Sequence, residues 1–210
     1  MRRTGLFIGV AVLLAWLCAG QFAAGHAEEA APPLQQLAAA DTAFAQAEAC
    51  HDGEGAVATL AHMIALEDVI RNRSGQPVEL TESWQFDVSA RFAKGNAALQ
   101  RKLLSLVPYR RRGRDPESLN ERFTISDTAY RREESFEIGK AAIVYVRSRV
   151  PGRLHLSVRS AEDGHEICSS FVEQGWPICY WTPQSAADAH VTLLVTDSET
   201  ALGQIQVLTN

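Results

Sequence analysis

The chain has 210 residues, with 20 lysines and arginines against 25 aspartates and glutamates, so its formal net charge at pH 7 is −5. A net negative charge argues against nucleic acid as a partner, because nucleic acid carries the same sign. The length allows one large domain or two small ones, and the change of composition near residue 116 favours two.

Residues 1–27 have the layout of a secretory signal peptide. Arg2 and Arg3 precede an apolar run from Leu6 to Leu17, and small residues lead to a cleavage site after Ala27. The run is shorter than the ~20 apolar residues that cross a bilayer as a helix. We therefore predict a cleaved signal, a periplasmic or secreted protein, and no stable membrane span after processing. A retained signal anchor is the alternative.

Residues 28–109 are predicted to be helical, because apolar side chains recur there at helical spacing. Breaks at His51-Asp52-Gly53 and at Ser74-Gly75, and Asn96 as an N-cap, divide the region into three or four helices. Two apolar stripes are expected to face the core. They are Trp84, Val88 and Phe92, and then Leu99, Leu103, Leu104 and Val107.

Residues 110–120 are predicted to be a linker. Arg110, Arg111, Arg112 and Arg114 lie there beside Gly113. We interpret this basic cluster as solvated chain, with binding of a phosphate or a lipid headgroup as the alternative.

Residues 121–210 show the period-two alternation of strands with one buried face. It is visible at 122–125, 135–138 and 154–158, and apolar runs at 142–146, 191–195 and 205–208 complete about eight short strands. Short turns between them leave no room for crossover helices, so the strands are antiparallel. The predicted fold class is α+β: a short N-terminal helical region followed by an antiparallel jelly-roll-like β-sandwich. We expect the sandwich to fold without the helices.

The C-terminal region resembles the bacterial pre-peptidase C-terminal domain. The resemblance covers residues 121–210 and rests on Cys168, on Cys179-x-Trp181-Thr182-Pro183 and on the closing Thr209-Asn210. It implies a jelly-roll β-sandwich that acts as a secretion or binding accessory and not as a catalyst.

The chain departs from that family at the strand that often contributes to a calcium site. Arg153 and His155 stand where the family has aspartates. Because hard cations need several oxygen ligands, we predict no calcium site there, and we predict no other metal and no cofactor. The peptidase usually attached to such a domain is also missing.

Three cysteines remain after the predicted cleavage: Cys50, Cys168 and Cys179. In an oxidising compartment two of them are expected to pair. We predict a disulfide between Cys168 and Cys179, which lie on either side of one loop, and a buried free thiol at Cys50. Pairings or dimerisation through Cys50 are the alternatives.

Trp176, Tyr180 and Trp181 lie within six residues and form the candidate binding surface. Aromatic side chains exposed on a sandwich are suited to stacking against sugars. In the alternative interpretation Trp181 fills the sandwich core and Trp176 covers the disulfide.

The sequence offers no motif for catalysis. His165, Glu166 and Cys168 are potential metal ligands, but the sequence has no second cluster of ligands at the spacing of a zinc site. No Gly-x-Ser-x-Gly elbow is present either. We therefore predict an exported non-catalytic protein that acts through binding or envelope interaction, with an unknown protein or glycan partner. A small envelope hydrolase with an unrecognised active site is the alternative.

Overall fold

The structure is a computed structural model, and it describes residues 31–71, 75–110, 122–125, 129–149, 152–173, 175–197 and 203–210. The predicted signal peptide and nearly all of the predicted linker lie outside these ranges. Among the described helices, none is both long enough and apolar enough to cross a bilayer.

Four helices form the N-terminal region, in agreement with the sequence. They are α1 (Pro33–Ala49), α2 (Gly53–Glu67), α3 (Ser83–Phe92) and α4 (Ala97–Arg110). The predicted boundaries have a physical basis in capping: Asp52 Oδ1 accepts a hydrogen bond from the Gly55 amide at 3.0 Å. Asn96 Oδ1 accepts hydrogen bonds from the amides of Ala98 and Leu99, which confirms the predicted N-cap.

Eight strands follow, together with one short helix. They are β1 (Arg122–Ile125), β2 (Ala129–Ser135), β3 (Ala142–Ser148), β4 (Leu154–Ser160), β5 (Glu166–Phe171), β6 (Ile178–Trp181), α5 (Ala186–Ala189), β7 (His190–Asp197) and β8 (Gly203–Thr209).

The strands form two antiparallel sheets of four strands each. Their orders are β1-β8-β3-β6 and β2-β7-β4-β5. This is the strand order of a jelly roll, so the predicted α+β fold class is confirmed. We call β1-β8-β3-β6 the inner sheet, because the helices pack against it, and β2-β7-β4-β5 the outer sheet.

The strand predicted at 135–138 is wrong. The strand in this part of the chain is β2, which begins at Ala129 and ends at Ser135. Its inward positions include Arg132 and Glu134, which pair with each other at 2.6 Å between Nε and Oε1. Because charged side chains occupy inward positions, the usual apolar alternation of a strand is absent from the sequence here.

Strand β3 is buried on both of its faces. Val144 and Val146 contribute to the core between the two sheets. Ile143 and Tyr145 instead join the core formed by the helices. The inner sheet is therefore the middle layer of three.

The residues from Pro32 onward form one compact unit. The helical region packs on the inner sheet more closely than the sequence predicted. Independent folding of residues 121–210 stays a prediction.

A buried polar cluster joins helix α1 to the inner sheet. The Tyr145 hydroxyl donates to Asp41 Oδ2 at 2.6 Å, and Arg147 forms a salt bridge with Asp41 at 2.5 Å. Arg147 also donates to the Leu80 carbonyl in the segment between α2 and α3. Burial raises the pKa of Asp41, although Arg147 opposes that change. Burial, with the nearby Asp41 charge, also raises the pKa of Tyr145 well above its usual value, so its hydroxyl keeps its proton.

Leu104, predicted on the second apolar stripe, is not in the core, and the side chain of Val107 lies outside the described part of the chain. Leu103 is buried, but Leu104 is 66% exposed on α4. Adjacent residues on a helix lie about 100° apart, so Leu104 falls outside the arc that contacts α2 and α3.

Candidate functional site

The outer sheet presents one face to solvent. In β4, Leu154, Leu156 and Val158 point into the sandwich core. Because successive side chains of a strand alternate between faces, His155 and Arg159 lie on the opposite side. We call this side the outer face.

Side chains of neighbouring strands are in register on the outer face. His155 lies opposite Phe171 of β5, and Ser157 lies opposite Ser169. The Phe171 side chain is 49% exposed. An aromatic ring therefore stands beside an imidazole on an open sheet surface.

Hydrogen bonds hold these side chains in position. Ser169 Oγ lies 3.0 Å from His155 Nε2. Arg159 Nε donates to Ser157 Oγ at 3.1 Å, and that hydroxyl donates to Glu166 Oε2 at 3.2 Å. The register shift after Val158 places Glu166 opposite Arg159, with 3.6 Å between Nη2 and Oε2. The local charges balance, so the face suits a neutral, hydroxyl-rich ligand better than an ion.

The three aromatic residues of the predicted binding surface do not lie together. Trp176 is only 6% exposed, packs in the helical core, and donates from Nε1 to the Ser148 carbonyl at 2.8 Å. Trp181 is partly buried against the sandwich core, with its ring 4.9 Å from that of Phe136. Tyr180 is 52% exposed. The structure therefore leaves only Tyr180 of the three accessible to a ligand over about half of its surface.

The predicted disulfide between Cys168 and Cys179 is confirmed, with 5.9 Å between the two Cα atoms. The bond joins β5 of the outer sheet to β6 of the inner sheet. The bond therefore closes one side of the sandwich.

The free thiol predicted at Cys50 is wrong. Among the described cysteines none is free, and Cys50 is disulfide-bonded.

A histidine at one end of the sandwich lies between two carboxylates. His165 Nδ1 is 2.7 Å from Asp163 Oδ1, and His165 Nε2 is 3.5 Å from Asp188 Oδ1. The hydrogen bond with Asp163 raises the pKa of His165. The same bond lowers the pKa of Asp163 to about 2.

This cluster lacks the arrangement of a nucleophile and its base. Ser185 Oγ donates to Asp188 Oδ2 at 3.0 Å and accepts from the Asp188 amide, as an N-cap does. Ser185 is thus bonded to a carboxylate. Nucleophilic catalysis by serine would instead require a hydrogen bond from its hydroxyl to the imidazole.

The concave site between the helices and the inner sheet also lacks catalytic groups. A cavity of about 180 Å³ lies there, and its wall includes Leu34, Ile70, Ile143 and Arg71. No histidine, aspartate or glutamate side chain lines this cavity. Within the described ranges, the hydrolase alternative therefore gains no support from it.

Sequence reasoning missed the outer-face residues. Phe171 follows a run of small and polar residues, His155 was considered only as a substitute for a calcium ligand, and Arg159 was not considered. The available signal was the alternation in β4 and β5, which assigns every second residue to the side away from the core.

No protein-family model matches this chain, and no curated protein matches it. Among solved structures, the chain is similar to a carbohydrate-binding module, TmCBM61, in complex with β-1,4-galactotriose. The identity is 15%, the TM-score is 0.28, and the match covers 41% of this chain and 64% of that one. The chain thus spans less than two thirds of that module, and the likeness is too remote to transfer a ligand.

Proposed function

We propose that this protein is an exported, non-catalytic binding protein that holds a neutral oligosaccharide on its outer face. The observation that carries the proposal is the exposed Phe171 ring beside His155. The polar side chains of the same face are hydrogen-bonded to one another. The proposal agrees with the accessory role that the resemblance to the pre-peptidase C-terminal domain implies.

The chemistry of a sugar ring matches this face. A pyranose has an apolar C–H surface that packs on an aromatic ring, and hydroxyl groups at its edge that need hydrogen-bond partners. Phe171 offers the ring, while the exposed side chains of Ser169 and Arg159 offer donors and acceptors. Because the side chains lie on a regular sheet and bond to each other, little conformational entropy is lost on binding.

Export is supported by the disulfide. Disulfides form and persist in oxidising compartments and are rare in the cytosol. The bond between Cys168 and Cys179 therefore fits a periplasmic or secreted protein.

The test is binding to a panel of neutral polysaccharides by affinity gel electrophoresis, followed by calorimetry with oligosaccharides of the best one. We expect Phe171→Ala to weaken binding about tenfold, which corresponds to ~1.4 kcal/mol. His155→Ala should also weaken it, because it removes the neighbour that positions Ser169.

Tyr180→Ala is the matched control. Tyr180 is as exposed as Phe171 but belongs to the inner sheet. Its substitution should leave the affinity unchanged. No binding to any panel member, or equal losses from Phe171→Ala and Tyr180→Ala, would overturn the proposal.

A further inference from the structure

The segment 88–114 has a charge opposite to that of the whole chain. Its 27 residues contain eight lysines and arginines and no aspartate or glutamate, while the full chain has a net charge of −5. Four of the basic residues have described side chains at the end of α3, in the turn after it, and on α4. They are Arg91, Lys94, Arg101 and Lys102, and we call them the basic cluster.

The side chains of the basic cluster are all exposed. In the described part of the chain, none of the four forms a salt bridge. Arg91 lies over the neighbouring Phe92 ring at 6.0 Å, which leaves its charge in solvent. Asp87 lies one turn before Arg91 on α3. The four side chains of the basic cluster are thus exposed positive charges without ion pairs in the described part of the chain.

An exposed apolar side chain lies next to Arg101 on α4. Leu104 is 66% exposed, the highest value among the large apolar side chains described. It follows Arg101 by three residues on α4, so the two lie on neighbouring parts of one helix face. Leu103 and Leu106, by contrast, contribute to the packing of the helical core.

We propose that the basic cluster and Leu104 bind the surface of a bilayer that contains anionic phospholipids. Basic residues near such a surface are attracted by its negative potential, and an exposed leucine gains by entering the boundary between headgroups and acyl chains. This attachment is peripheral and leaves the outer face of the sandwich free.

Leu104 distinguishes a bilayer from a soluble polyanion. A polysaccharide or polyphosphate chain would use the charges alone and offers no apolar layer for the leucine. The net negative charge of the rest of the chain helps to orient the molecule, because it disfavours contact of an anionic surface with the rest of the protein.

The experiment is co-sedimentation of the purified protein with vesicles. We expect binding to vesicles of phosphatidylcholine with ~30% phosphatidylglycerol and little binding to phosphatidylcholine alone. High salt should release the protein, because exposed charges are screened. The double variant Arg101→Ala/Lys102→Ala should weaken binding about thirtyfold, roughly fivefold for each charge removed.

The control is Arg71→Ala/Lys140→Ala, which removes two exposed positive charges elsewhere and should bind as the unchanged protein does. Leu104→Ser should weaken vesicle binding and leave retention on a heparin column unchanged. Thermal unfolding of each variant checks that it is folded.

Three results would overturn the proposal. They are equal binding to both kinds of vesicle, equal losses in the cluster and control variants, and vesicle binding that Leu104→Ser does not change. The last would identify a site for polyanions in general. None of these results bears on sugar binding by the outer face.

Discussion

Single side chains of this protein complete hydrogen-bond patterns that the backbone leaves open. Asn210 accepts from the Ile143 amide and donates to the Ala141 carbonyl, both at 2.7 Å. Its amide group thereby extends the pairing of β3 beyond the last residue of β8. The closing Thr-Asn pair, which the sequence offered only as part of a resemblance, has a structural role at this position.

His165 provides a prediction at this scale. A neutral imidazole carries one proton, so donation to both Asp163 and Asp188 requires the imidazolium. We expect the pKa of His165 to lie above its usual value of about 6.5. The stabilisation from this raised pKa is present below about pH 6.5 and is lost as the pH rises through the pKa of the folded state.

An NMR titration of the His165 ring protons measures this pKa. Asp163→Asn should lower it, because the closer carboxylate is removed. Asp188→Asn should lower it less, because that oxygen is 3.5 Å away. An unchanged His165 pKa in Asp163→Asn would contradict the assignment.

At the scale of elements, the disulfide is a connection between sheets. It ties edge strand β5 to edge strand β6, at a sequence separation of 11. Ser170 Oγ also accepts from the Ile178 amide at 3.2 Å, so the two strands are joined by a second contact. The corresponding side of the sandwich is therefore closed.

We predict that Cys168→Ser/Cys179→Ser lowers the free energy of unfolding by about 3 kcal/mol, because the unfolded chain gains the entropy of an open loop. Urea unfolding followed by tryptophan fluorescence measures the change. Strand β5 should also lose protection from amide exchange before β4 does. Equal stability of the variant and the unchanged protein would show that Ser170 and the surrounding packing are enough to hold the edge.

At the scale of the molecule, the helices and the inner sheet share one core. Tyr145 and Arg147 of β3 meet Asp41 of α1 in an interior that holds both charges. Burial alone would lower the pKa of Arg147, but Asp41 and the other nearby acidic groups raise it. A sandwich fragment made of residues 121–210 would expose this face, so its independent folding needs a direct test.

We predict that Arg147→Met lowers the free energy of unfolding by about 3–5 kcal/mol, because Asp41 is then buried without its counter-charge. Adding Asp41→Leu should recover part of that loss, since the uncompensated carboxylate is removed. Chemical unfolding of the two variants measures both changes. The coupling would be contradicted if Asp41→Leu lowered the free energy of unfolding in the Arg147→Met background by as much as an independent substitution would.

The sequence by itself determined the elements whose signals are local. The helix break at Asp52, the N-cap at Asn96, a region of three or four helices, and the strands with apolar alternation depend on residues a few positions apart. The pairing of Cys168 with Cys179 was also within reach, because both lie around one short loop. Strand β2 was misplaced because charged residues occupy its inward positions.

Only the tertiary structure decided which surfaces meet and which stay open. Whether Trp176 is buried, whether Leu104 is exposed, and which side of β3 faces the helices depend on residues far away in the chain. Composition and spacing in a single sequence do not predict such contacts, because an apolar residue can be buried against any other apolar part of the core. The same holds for the outer face, whose Phe171 and His155 become neighbours only when β4 and β5 pair in one register.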